Sequence, residues 1–351
     1  MVILCVYFPK YKLLLYEKCY KMERLIIFLF TFCLMSCGQK KSAEITQTGE
    51  EVRQTKNSVT TPTFNVDSAY LYISEQVAFG PRVPNTKAHK LCSEYLSSKL
   101  EDFGAKVHVQ EATLTAYDNT KLEAKNIIGV YNPEKEKRIL LFAHWDSRPY
   151  ADEDPDKSKH RTHVDGADDG ASGVGVLLEI ARQINLKSPE VGIDIIFFDA
   201  EDYGVPYFAK TKMEDTWCLG SQYWAKNPHV PNYKAEYGIL LDMVGGKDAT
   251  FYKERYSVRY ATNIVEKVWS TAKSLGYGRF FINSAGGYIT DDHIYVMKGL
   301  NIPCVNIINF NPNSEKGFSQ YWHTVKDNME NIDKKTLNAV GHTVMEVIYN
   351  Q

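Results

Sequence analysis

From Asp67 onward the chain alternates between two hydrophobic periods, and the alternation predicts its elements. Ala88, Leu91, Cys92, Tyr95 and Leu96 recur at helical spacing, with Gly104 as a stop. Ile127 to Tyr131 and Arg138 to Ala143 read as strands. Val174, Leu177, Leu178 and Ala181 form the apolar face of an amphipathic helix, and Ile193 to Phe198 is an uninterrupted apolar strand. Tyr237 to Leu241 and Pro303 to Ile308 give two more strands. Leu337, Val340, Val344, Val347 and Ile348 stripe a final helix. Strands apolar on both faces and separated by helices predict a sheet covered on both sides: a single-domain αβα sandwich around a mixed, mostly parallel sheet.

The N-terminal segment stands outside this pattern. The apolar run Leu25 to Met35 is shorter than the ~20 residues a membrane-spanning helix needs and reads as a signal peptide. Leu34-Met35-Ser36-Cys37 resembles a bacterial lipoprotein cleavage box, so residues 1–37 read as a signal peptide with its lipobox, and the resemblance implies a mature chain that starts at a lipidated Cys37. Met22 alone opens a complete signal, so residues 1–21 read as an extension from an upstream start. Residues 38–62 are polar and aperiodic, a flexible tether, and 63–351 form the catalytic domain. Gly38 after the cysteine favours, by resemblance to other lipoproteins, the periplasm-facing outer membrane of a bacterial cell envelope.

Composition adds exclusions. Of 351 residues, 44% are hydrophobic and 24% charged, with a net charge of -2, so there is no basic footprint for nucleic acid. Outside the N-terminal segment only Cys92, Cys218 and Cys304 remain, widely spaced, which reads as buried free thiols rather than a disulfide framework.

The polar residues cluster where strands end. His144-Trp145-Asp146 follows one strand, Asp199-Ala200-Glu201-Asp202 the next, Asp242 closes a third, and His323 lies in the loop after the fourth. Sites in open α/β sheets form at the carboxyl ends of strands, so these segments are expected to converge. Carboxylates packed together would repel and stay partly protonated; a divalent cation removes that penalty, and mixed nitrogen and oxygen ligands suit zinc. Asp169, in the glycine-rich segment Gly166 to Gly173, reads on its own as a helix cap. The acidic loop Tyr150 to Asp156 reads as solvated surface, with calcium binding as the rarer alternative.

Taken in order, His144-Trp145-Asp146, Gly166 to Gly173, Phe198 to Asp202 and His323-Thr324 resemble the motifs of zinc-dependent aminopeptidases. Thr290-Asp291-Asp292-His293 and Trp322-His323-Thr324 are similar to segments of the bacterial glutaminyl cyclases within that superfamily. This resemblance implies one catalytic zinc held by Asp169, Asp202 and His323, with Asp202 standing where many relatives have Glu. It implies Glu201 as the acid/base, with Asp242 and Asp292 hydrogen-bonded around it, and Trp322 and, on weaker grounds, Trp217 as walls of the substrate pocket. The implied reaction closes the N-terminal glutamine of a peptide or protein to pyroglutamate with release of ammonia, in a monomer. Two alternatives stay open: a dinuclear aminopeptidase, with His144 (and Asp146 in support) and Asp242 at a second metal, and a non-catalytic peptide-binding lipoprotein.

Overall fold

The computed structural model describes residues 60–351 apart from residue 212. The expected signal segment, the expected lipidation position Cys37 and most of the expected tether lie outside the described residues.

Helices α1 (Val66–Ala78) and α2 (Lys87–Asp102) come first, then the hairpin strands β1 (Lys106–Thr115) and β2 (Lys121–Tyr131). Next are β3 (Arg138–His144), α3 (Ala171–Leu186), β4 (Gly192–Phe198), α4 (Leu219–Lys226) and β5 (Tyr237–Asp242). The chain continues through β6 (Phe251–Lys253), α5 (Arg255–Ser274), β7 (Phe281–Ala285), α6 (Asp292–Leu300), β8 (Cys304–Ile308) and α7 (Lys334–Tyr349). Six strands form one sheet in the order β1-β2-β4-β3-β5-β8. β4, β3, β5 and β8 run parallel, and the β1–β2 hairpin joins antiparallel on the β4 side. The mixed, mostly parallel sandwich is therefore as the sequence predicts.

Strand alternation feeds two cores. Ile139, Leu141, Ile195, Phe197 and Ile239 pack against the face carrying α1, α2, α3, α5 and α7; Leu140, Phe142, Ile196 and Leu240 meet Trp224 of α4 and Val296 of α6. The buried carboxylate in the middle of β4, Asp194, is neutralised by a two-pronged ion pair to Arg138 (2.6 and 2.8 Å) and a hydrogen bond from Tyr233 (2.7 Å).

Two expectations need correction. α3 is not amphipathic: 13 of its 16 residues are buried, because it is wedged between the sheet and the helices α1 and α7. The acidic loop is not a solvated surface either. Asp152 and Asp154 are buried, Asp152 pairing with Arg148 at 2.8 Å and Asp154 accepting from the Val325 amide at 3.1 Å. Asp152 is thereby committed to a guanidinium, so the loop has a charge partner of its own.

The strand order places the site. From β3 the chain winds to β4 on one side, then crosses to β5 on the other, so the switch point lies between the carboxyl ends of β3 and β5. The register that pairs Phe142 with Leu240 carries His144 and Asp242 level with each other two residues further on. α3 approaches this edge closely because Gly173 lies against β5; a Cβ there would overlap the Leu241 carbonyl and sit 2.9 Å from the Ala143 Cβ. Gly173→Ala is expected to cost about 2 kcal/mol of folding stability, measured by urea denaturation; an unchanged midpoint contradicts this close-packing role.

Candidate metal centre and its cavity

Asp169 is the hub of the site. It lies just before Gly170, the residue that opens α3 with a φ of +94° and no side-chain cap, so its carboxylate is not spent on the helix as the sequence alone suggests. One Asp169 oxygen is 3.0 Å from His144 Nε2, and the other is 3.6 Å from His323 Nε2. His144 Nε2 also lies 3.3 Å from Asp242, and His323 Nε2 3.1 Å from Asp202. Two triads result, His144–Asp169–Asp242 and Asp169–Asp202–His323, each with its ligand atoms within 4.8 Å of one another.

Carboxylates elsewhere hold these groups by gripping the backbone. Asp146 accepts the amides of Glu201 and Asp202, both at 3.1 Å, which fixes the turn after β4. Asp327 does the same for Asp168 (2.7 Å) and Asp169 (3.0 Å). Asp199 accepts from the Lys125 and Ala200 amides while its oxygens face His89 Nε2 at 2.8 and 3.0 Å, an orienting role. Asp152 lies 3.5 Å from His323 Nδ1 and ties that ring to Arg148. His163 is exposed, and His293 is buried against Glu254 at 3.2 Å, so neither joins the centre.

The electrostatics call for a cation. Burial first, then repulsion from Asp169, raises the Asp202 pKa to about 6. Burial, with Asp291 and Asp169 nearby, pushes Asp242 well above the usual carboxylate range even though His144 pulls the other way. Burial lowers the His323 pKa, but Asp202 and Asp152 outweigh it and the net value rises to about 9. Asp202 Oδ2 is buried and without a hydrogen-bond partner among the described residues. An unpaired carboxylate oxygen beside a histidine nitrogen and a second carboxylate fits a divalent metal, which would let these groups ionise together.

Asp169, Glu201, Asp202, Asp242 and His323 open on one cavity of about 320 Å³. Both tryptophans line it. Trp322 stacks on His323 with ring centroids 3.8 Å apart, and Trp217 stacks on the same ring at 5.8 Å with Arg148 over its own face at 4.4 Å. Burial, followed by Asp202, Asp291 and Asp292, raises the Glu201 pKa well above its ordinary value against the pull of His144.

Asp292 is a correction. The carboxylate lining the cavity is that of Asp291, which caps α6 in an extended conformation and is tied to Asn306 Nδ2 at 2.7 Å. Asp292 is the first helical residue and is turned inward, where burial and the adjoining Asp291 raise its pKa to about 8. Asp242 likewise sits in the His144 triad, a placement the metal alternative anticipates. Arg148, Asp152, Asp327 and Cys218 carry no site signal as residue types; Cys218 is the buried free thiol expected, and folding brings its Sγ to 3.1 Å from Glu201 Oε1.

A mixed α/β sheet whose carboxyl edge gathers acidic and histidine side chains into two triads sharing one aspartate defines a metal-dependent enzyme of the zinc-exopeptidase kind. The chain belongs to peptidase family M28, which matches residues 126–348. It is 70% identical to a Zn-dependent exopeptidase from Parabacteroides distasonis ATCC 8503 (TM-score 0.83, covering 83% of this chain and 100% of that one). It is 66% identical to Tannerella forsythia glutaminyl cyclase (TM-score 0.81, covering 83% and 100%). Against aminopeptidase YwaD of Bacillus subtilis (strain 168) it is 26% identical over 80% of this chain, and it spans 56% of that relative's length.

Because its two oxygens serve both triads, Asp169→Ala is expected to abolish retention of divalent metal, while His144→Ala keeps metal at the Asp202–His323 side. Elemental analysis of dialysed protein tests both; an Asp169→Ala chain with a full metal equivalent overturns the shared role.

Proposed function

We propose that this chain is a zinc-dependent glutaminyl-peptide cyclotransferase acting on peptides and proteins with N-terminal glutamine. The observation that carries the reading is the position of Glu201: its carboxyl opens on the same tryptophan-walled cavity as the Asp169–Asp202–His323 triad, with Asp291 beside it. The 66% identity to Tannerella forsythia glutaminyl cyclase over that protein's full length supports it.

Asp169, Asp202 and His323 would hold the zinc, which supplies Lewis acidity toward the γ-amide carbonyl. Trp322 and Trp217 wall the cavity and exclude water from the substrate's first residue. Glu201 takes a proton from the neutral α-amine as that nitrogen attacks the carbonyl carbon of the side-chain amide, Cδ, and closes the five-membered ring. The bond from Cδ to the amide nitrogen then breaks, and Glu201 returns the proton so that ammonia leaves. Atoms and charges balance without a water nucleophile. A carboxyl with raised proton affinity suits both halves of this shuttle.

A second reading rests on the His144–Asp169–Asp242 triad, which offers a second metal position and with it a dinuclear aminopeptidase, in which Glu201 would act on water. Lipid anchoring at Cys37 on the periplasmic side of an outer membrane, and a monomeric catalytic domain, complete the proposal.

Mass spectrometry of the purified protein with one peptide starting in Gln and one in Leu separates these readings. Loss of ammonia from the Gln peptide, stopped by a chelator, is the expected result; free Leu would establish the aminopeptidase instead. Glu201→Gln is expected to lower kcat by at least a hundredfold with metal content unchanged, and a near-normal rate would remove Glu201 from the mechanism. Glu201 works as a base only when ionised, so kcat/KM should fall on acidification. The neutral substrate α-amine imposes one acidic limb at about 7.7–8.0, and the raised proton affinity of Glu201 puts a further limb above the ordinary glutamate value of about 4.3; a further limb at or below that value contradicts the assignment.

A further inference from the structure

Cys218 takes no part in the reaction above, yet it is built against its central group. The segment Cys218 to Gly220 is hydrogen-bonded along the turn that follows β4: the Cys218 amide donates to the Glu201 carbonyl at 2.9 Å, Leu219 to Ala200 at 3.0 Å, and Gly220 to Asp199 at 3.0 Å. Gly220 permits the approach, since a Cβ there would overlap the Asp199 carbonyl. Cys218 opens α4 in the left-handed region, with φ +59° and ψ +34°. For a side chain with a Cβ this conformation is unfavourable and persists only where surrounding contacts impose it. The imposed conformation accompanies a buried thiol whose Sγ lies 3.1 Å from Glu201 Oε1. Among the described residues, no other side chain or amide donates to that carboxyl. The carboxyl sits at the end of a three-torsion side chain on a cavity wall, where an unanchored group would sample several rotamers.

We infer that Cys218 is a positioning residue for Glu201: its thiol donates to Oε1, selects the rotamer of the carboxyl and leaves Oε2 for the substrate amine. The inference rests on Glu201 being the proton shuttle. A positioning loss acts on the chemical step, because a misplaced carboxyl still permits binding but reaches the reacting proton less often. A packing role would behave differently. Alanine removes the donor without straining the backbone, and serine keeps a donor in a slightly smaller volume; valine fills the thiol's space without a donor but is β-branched at a left-handed position, so its rate is read together with its unfolding midpoint.

The test is steady-state kinetics on a glutamine-initiated peptide with the wild type and with Cys218→Ala, Cys218→Val and Cys218→Ser, alongside metal content and unfolding midpoints. Losing one modest hydrogen bond, worth about 0.5–1.5 kcal/mol, corresponds to a roughly two- to twelvefold fall in kcat. Alanine and valine are both expected to show it, with KM and metal content little changed, and serine is expected to restore most of the rate. A valine variant with full kcat, an alanine variant with unchanged kcat, or a loss confined to KM overturns the positioning role while leaving the cyclase reading intact. A wild type that binds metal but does not cyclise the peptide overturns the cyclase reading, and this inference with it.

Discussion

The constraint on which the site depends is the placement of Asp169 between two histidines that come from distant parts of the chain. His144 ends β3 and His323 arrives on the loop after β8, and the Asp169 carboxylate faces one nitrogen of each. Its side chain is short, so the backbone carrying it must be brought to the sheet edge itself. Gly173 allows this through close packing of α3 on β5, and Asp327 fixes the last turn before the helix by accepting two consecutive amides. The topology supplies the rest, because a switch between β3 and β5 leaves a crevice at their carboxyl ends.

A second regularity runs through the acidic groups. Asp146, Asp199 and Asp327 each accept backbone amides from the segments that carry working side chains. Buried carboxylates used this way satisfy amides that no strand or helix would otherwise pair, and they stiffen turns that could otherwise relax. The accumulated negative charge is the cost. It leaves Asp202 and Asp242 with raised proton affinity, which Arg148 only partly offsets at Asp202 and which a bound divalent ion would relieve. The folding framework and the metal centre are thus one electrostatic system.

This explains what was legible in the sequence. Strands buried on both faces, such as Ile193 to Phe198, announced themselves by composition, and α7 by its stripe. The β1 half of the hairpin alternates exposed and half-buried positions and has no apolar run to reveal it. α5 carries a readable stripe through Val265, Val268 and Ala272 that the pattern reading passed over. The ligand candidates were legible because their order along the chain resembles a family. Which of two adjacent aspartates faces the cavity was not, since the start of α6 decides between Asp291 and Asp292, and neighbouring carboxylates look alike in one dimension. Cys218 was hidden for a related reason: an isolated thiol has no pattern, and only folding brings it to Glu201.

Four residues around the cavity share an unusual backbone state. Ala200 (φ +53°), Cys218 (+59°), Met243 (+49°) and His323 (+53°) are all left-handed without being glycine. Each conformation costs of order 1 kcal/mol that the folded framework has already absorbed. A peptide entering the cavity therefore meets walls whose ordering was completed during folding, and its binding energy is free to align its own atoms. The same commitment narrows the routes open to sequence drift. A β-branched residue at Met243, which lines the cavity, or at Ala200, next to the lining residue Glu201, would be penalised by the backbone before any contact with ligand was lost, so part of this cavity is held by torsion angles as well as by chemistry.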